Sequence, residues 1–374
     1  MTRATAAGDA AAAREPYWDN AKAVLVTLVV VGHAVQPAAA AGVVVADVLY
    51  RWVYLFHMPA FVLLTGMLTG EPNRRRAARL LTGLLVPYVL FQALQTAEHH
   101  VLTGAGPPVR PLEPRWTLWF LVAVVLWRLS APLWQAMRPA VALAVAVALM
   151  VVAGLGPGVG HVLALDDALG FLPFFVAGLL LPRSALASLA ARPRVRWAAA
   201  VVLVAAAAGV ALTRGEFSRA ALQPGFSTQS LGTDPLTGSV LRLLLLGASA
   251  VAVAAVLALV PSGARRWTGV GAASMYVYLL HAPLLLPLRD GRWVAGTALA
   301  LLTALAAVLL ALLLGSRPVQ RVTRWAVEPR WADALLAGDL RSARPARPAA
   351  QEARTPADVH DDEDRGEPPR GARP

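Results

Sequence analysis

The chain has 374 residues, 57% of them hydrophobic and only 15% charged, at a mean hydropathy of +0.57; this excludes an ordinary soluble domain and predicts an all-α, polytopic membrane helix bundle. The net charge of +12 comes from arginines, with Lys22 the single lysine. Their place in short loops and in the tail points to topology signals and contact with membrane lipids, not nucleic acid. Cysteine is absent, which excludes disulfides, thiolate catalysis and cysteine-held metals.

In chain order, the first 16 residues are Ala-rich and lack an apolar core before a cleavage site, so the first span is expected to stay as an anchor. Ten candidate spans follow, at 21–41, 47–69, 80–102, 116–135, 140–155, 168–181, 197–212, 239–260, 272–288 and 293–314. The fifth and sixth are short and Pro173 interrupts the sixth, so each is expected to tilt, break or re-enter; losing both leaves eight. With the N-terminus inside, seventeen loop and flanking arginines fall on the inner side, Arg74–Arg76, Arg79, Arg192, Arg194 and Arg196 among them, against eight outside. This asymmetry predicts a multi-pass protein of the plasma membrane with both termini in the cytoplasm. The long outer connections 103–115 and 213–237 either cover a site or are slack. After the membrane domain, 17–316, the segment 317–374 reads as a short amphipathic piece followed by a disordered tail.

The chemistry is concentrated in the first span, YWDNAKAVLVTLVVVGHAVQP, Tyr17–Pro37. Lys22 and His33 are 11 residues apart, close to three helical turns, so both lie on one face, about 16 Å apart along the axis. Lys22 either snorkels to the surface or serves a ligand, and His33 either bonds a neighbouring helix or does chemistry. Asp19 stands at the spacing to pair with Lys22. His57 in LFHMP and His281 in YVYLLHAP fall at similar mid-membrane depth. Three histidines at one depth argue for a shared polar centre, because side chains there must face the bundle or a wet cavity.

Arg128, about 12 residues into the fourth span, needs a partner or a phosphate unless it snorkels. Trp116 and Trp119 read as an aromatic belt at the outer interface. Glu98, His99 and His100 read as interfacial, and His161, Asp166 and Asp167 as a solvated outer loop. Pro59, Pro87, Pro173 and Pro283 are expected to kink spans and open a cavity. With no carboxylate nearby inside the membrane, a metal site is not expected.

The series DNAKAVLVTLVVVGH, LFHMPAFVLLTGML, RLLTGLLVPY, LWFLVAVVLWRL, FLPFFVAGLLL and SMYVYLLHAPLL resembles the acyltransferase-3 family of integral-membrane O-acyltransferases, in particular its fucose 4-O-acetylase-like branch. The family's first-span motif, a basic residue, ten intervening residues and a histidine, matches Lys22 to His33. Arginine is usual at the first position; lysine keeps the charge and loses the bidentate fork. The resemblance implies transfer of an acyl group, usually acetyl, from cytoplasmic acetyl-CoA to a hydroxyl of a carbohydrate or glycolipid acceptor. On that reading Lys22, Asp19 and Arg128 serve the donor, and His33, with His281 and His57, supplies the base. A proton-coupled transporter or flippase of a cell-envelope precursor is the alternative, since kinked spans with central histidines suit a carrier too.

Overall fold

The computed structural model describes residues 15–70, 73–104, 110–156, 160–190, 192–223, 225, 227–289 and 296–336, with the side chains of Arg75, Arg76 and 187–190 outside that set. The expectations for the first 14 residues and for the tail from 337 fall outside the described residues. Those described fold as helices without a strand: α1 Pro16–Ala40, α2 Val44–Met67, α3 Arg74–Leu80, α4 Val86–Thr103, α5 Trp119–Gln135, α6 Pro139–Leu155, α7 Leu165–Gly170, α8 Leu172–Leu180, α9 Arg183–Ala190, α10 Pro193–Thr213, α11 Pro235–Leu259, α12 Thr268–Ala272, α13 Ser274–Leu285, α14 Thr297–Leu314 and α15 Arg317–Val327.

Seven helical stretches are long and apolar enough to span a bilayer, or eight if the bent pair α7–α8 counts as one. The expectation was ten. Two of those segments, α6 and 274–288, are helical and apolar but shorter than 18 residues, so length alone does not qualify them. The expected break in the sixth span is real: its halves meet at 64°. The bend sits at Phe171, between the two halves, and Pro173 occupies the first turn of α8, where a missing N–H costs nothing. Leu163 and Ala164, both with positive φ, lead into α7. Pro87 lies inside the continuous helical stretch Ala77–Thr103, directly after a π-helical turn at Leu81–Leu85 that widens the helix before it. Pro59 and Pro283 do lie inside their helices, as do Pro37 and Pro132.

The helix carrying the sequence motif is also the central one. About two-thirds of the most apolar window of α1 is buried, against 17% for α10 and 22% for α14, which face outward. α1 packs on α2, α12, α13 and α14. With lipid as apolar as leucine, such helices associate by close packing of small residues. Gly66 on α2 and Gly178 on α8 show this, since a methyl group at either would collide with the other helix's backbone.

Candidate active site

The α1 stripe begins at its first turn. Lys22 Nζ lies 2.7 Å from Asp19 Oδ1, the pairing expected from their spacing. Asn20, fully buried, ties this end to the connection between α11 and α12: its amide donates to the carbonyls of Pro261 (2.7 Å) and Gly263 (2.8 Å), and it accepts from the Thr268 hydroxyl (2.6 Å). The backbone N–H of Arg265 donates to that same hydroxyl, so the loop that anchors the first turn of α1 also carries Arg265 and Arg266. Arg74 and Arg79 are exposed on and near α3.

Two turns above Lys22, Val29 continues the stripe, and one more turn reaches His33 and Gln36. The last three line a cavity of about 540 Å³. Around His33 the expected histidines do converge. Its ring stacks on that of His281 at 5.4 Å between centroids, and Tyr54 bridges to His57, with centroids 6.1 Å from His33 and 4.7 Å from His57. His57 and His281 are pinned by Nδ1 to carbonyls one turn earlier on their own helices, Val53 (2.8 Å) and Val277 (3.0 Å). His281 is wholly buried and His57 nearly so, whereas His33 keeps part of its ring open to the cavity. Among the described residues no cluster of three His, Asp or Glu side chains is arranged to hold a metal.

The cavity's inner wall continues into a smaller, apolar space of about 100 Å³ that shares Val29, Met58, Phe120 and Tyr278 and extends to Leu84 and Met275. Its other walls come from the opposite end of the bundle: Pro114, His161, Asp166, Asp167, Gln223, Gly225 and Arg289. One side of the space is therefore oily and narrow and the other polar and wide.

A family model described as an acyltransferase domain, acyltransferase family 3, matches residues 15–316, well over half of the chain. The chain belongs to acyltransferase family 3. It is a multi-pass membrane O-acyltransferase. The match is to the family as a whole and does not single out the fucose 4-O-acetylase-like branch. No curated protein and no solved structure matches the chain.

In this acyltransferase several residues sit elsewhere than the sequence suggested. Trp116 is not a lipid-facing belt residue. Its ring meets His33 edge-on at 4.9 Å and His281 at 6.4 Å, the Arg289 guanidinium lies 4.8 Å from the ring centre, and its backbone holds φ at +42°, a region that bulky side chains rarely adopt. Trp119 also lines the cavity, stacked on Phe171 at 5.4 Å. Asp166 is buried, not solvated, and its carboxyl contacts the His161 ring. The connection 213–237 is not slack: Arg219 donates to the carbonyl of Ala39 (2.6 Å) and to Asp47 (3.1 Å), and Arg51 reaches the carbonyl of Phe217 (2.9 Å). Arg128 lines neither space, and its Nε has no hydrogen-bond partner among the described residues. Depth found the histidines because burial in a membrane is legible from span position. Arg289 and Gln223 left no such signal, since both lie in connections.

Proposed function

We propose that this acyltransferase moves an acyl group, acetyl in the first instance, from cytoplasmic acyl-CoA to a hydroxyl of a carbohydrate or glycolipid acceptor, with His33 as general base. The observation that supports it best is the α1 stripe: a paired cation at one end, and 11 residues on an imidazole open to a cavity with an apolar arm on one side and a polar mouth on the other. The donor's phosphates meet Lys22 and the neighbouring arginines, and its pantetheine arm follows the apolar passage past Val29 and Met58. The acceptor hydroxyl enters from the polar mouth. His33 Nε2 takes its proton as the oxygen attacks the thioester carbonyl; the C–S bond breaks, and the imidazolium returns the proton to the departing thiolate, giving an ester and free CoA thiol. Imidazole suits this exchange near neutral pH. Incubation of purified protein with labelled acetyl-CoA and a panel of cell-envelope glycans should yield base-labile ester label. A panel of acyl-CoA donors tests the acyl group, and no label with any donor would remove the proposal.

The role given to Lys22 predicts that Lys22→Ala raises the Michaelis constant for the donor by about tenfold or more, the order of a lost charge-assisted contact, and that Lys22→Arg restores it. A lowered turnover with an unchanged donor constant would assign Lys22 to another task. Asp19 holds the ammonium in place, so Asp19→Asn should weaken donor binding to a lesser degree.

The same proposal orients the chain with its termini in the cytoplasm and the wide mouth outside, on the arginine asymmetry. The natural absence of cysteine makes this directly measurable. A single cysteine at the exposed Gln229 should react with an impermeant reagent in intact cells, and one at the exposed Ser184 only after lysis. The reverse pattern would invert the assignment.

A further inference from the structure

At its polar mouth the reaction cavity continues into a second space of about 290 Å³, outside the path assigned to the donor. Pro114 and His161 line both. The second space is otherwise walled by α4, through Gln92 and Thr96, and by the connection that carries Arg110, Glu113 and Arg115. That connection is firmly held. The buried Gln92 amide donates to the carbonyls of Arg110 (3.3 Å) and Glu113 (2.9 Å), and its oxygen accepts from the backbone N–H of Arg115 (2.9 Å). The Tyr88 hydroxyl donates to the carbonyl of Pro111 at 2.6 Å.

The charges around these two spaces leave two cations over. Arg110 is paired with Glu113 at 3.0 Å, and the Asp166 carboxyl contacts the His161 ring. Asp167 stands against Gly225. Arg115 and Arg289 form no ion pair among the described residues. Both flank Trp116. Arg115 precedes it in the chain with an extended backbone (φ −77°, ψ 132°), and the Arg289 guanidinium lies 4.8 Å from its ring centre. The two positive charges act on each other across that corner, which costs free energy while no anion stands between them. The guanidinium fork matches a carboxylate or a phosphate, and its bonds to either are charge-assisted.

We propose that Arg115 and Arg289 form a binding site for an anionic group of the acceptor, a carboxylate or a phosphate, so that the acceptor is an acidic carbohydrate or a glycosyl phosphate. This rests on the reading of the polar mouth as the acceptor's entrance, and adds the charge that the acceptor carries. Trp116 touches both the imidazole of His33, edge-on at 4.9 Å, and the Arg289 guanidinium. A single indole therefore separates the anion site from the base. The anionic group belongs to the sugar unit being acylated or to the unit joined to it.

The first test needs no turnover. Line broadening of the ³¹P signal of inorganic phosphate, and of the ¹³C signal of acetate, is measured with detergent-solubilised wild type, Arg115→Gln, Arg289→Gln and the double variant. Anion held at the donor end is common to all four. Each single variant should raise the Kd of the mouth site by about tenfold or more, the order of a lost charge-assisted contact. Lysine variants should recover part of it, since they keep the charge and lose the fork. The anion bound more tightly names the group. The second test compares acidic cell-envelope glycans with the same glycans after carboxyl reduction or phosphatase treatment. In the wild type, removal of the charge should raise the acceptor Michaelis constant by about tenfold or more and leave the donor constant unchanged. In the double variant it should change neither. Arg115→Gln leaves the Arg289–Trp116 contact in place, so its effect on the acceptor constant is not a displacement of Trp116. Equal anion binding by wild type and double variant, or a neutral glycan acylated as well as its acidic counterpart, overturns the proposal. Anion binding lost in the double variant, with no label on any glycan in the wild type, would instead remove the acyl-transfer reading and keep the site.

Discussion

His33→Gln is expected to lower turnover by about 10²–10⁴-fold, the range for a lost general base, in a protein that still folds and inserts. Glutamine can hydrogen-bond in the same place but cannot accept a proton at neutral pH, so the substitution separates proton transfer from positioning. The neighbouring histidines provide the comparison. His281 is sealed from the cavity with its Nδ1 held by Val277, and His57 is held likewise by Val53. Each therefore buttresses the centre: His281 gives His33 a stacking surface and His57 packs behind Tyr54. Their glutamine variants should lose activity to a lesser degree and show some loss of thermal stability as well. If His33→Gln keeps more than about a tenth of the wild-type rate in single-turnover measurements, outside the expected range, the base is His281.

Gly271→Ala is expected to have the largest structural effect of any single methyl group on the donor side. A Cβ at that position would stand 1.6 Å from the carbonyl oxygen of Asp19 and 2.9 Å from the backbone nitrogen of Ala23. The obstacles are backbone atoms of α1, which no rotamer change can move aside. α12 would have to retreat, yet Val270 is already against Gly315 on its other side, with contacts of 3.1–3.2 Å from a Cβ there. Overpacking usually costs about 1–3 kcal/mol, and a collision with backbone belongs at or beyond the upper end. The retreat would also disturb the Asn20 anchor and the Asp19–Lys22 pair, so surviving protein should bind donor poorly. Gly269, two residues earlier on the same helix, has open space where its Cβ would go, and Gly269→Ala serves as the neutral control. Equal melting temperatures for the two variants would show that the α1–α12 approach is not a constraint.

Both predictions come from α1, which the sequence singles out by itself. Its apolar length and two interrupting charges mark a span with a task, and the period of 3.6 puts Lys22 and His33 on one face. Depth within spans likewise brings His57 and His281 to the level of His33. These features are readable because a bilayer imposes one thickness on every span and penalises any ionisable group at its middle. Helical class and family membership follow from the same pattern.

The tertiary structure decided what depth cannot: direction and neighbours. Of three histidines at one level, His33 and His57 line the cavity and His281 does not, with His33 the more open of the two, because the rotation of each helix about its axis is set by packing, here by glycines that let backbones touch. Trp116 and Trp119 have the composition of an interfacial belt, but the turn before α5 directs them inward. Asp166 and Asp167 resemble solvated loop residues until the bend between α7 and α8 brings them to the cavity mouth. Arg289 and Gln223 carry no such signal, since they reach the centre from connections whose path only the closed bundle fixes. The bilayer's constraint is one-dimensional and a sequence can express it; which side chains meet around His33 is a three-dimensional result of helices settling against one another.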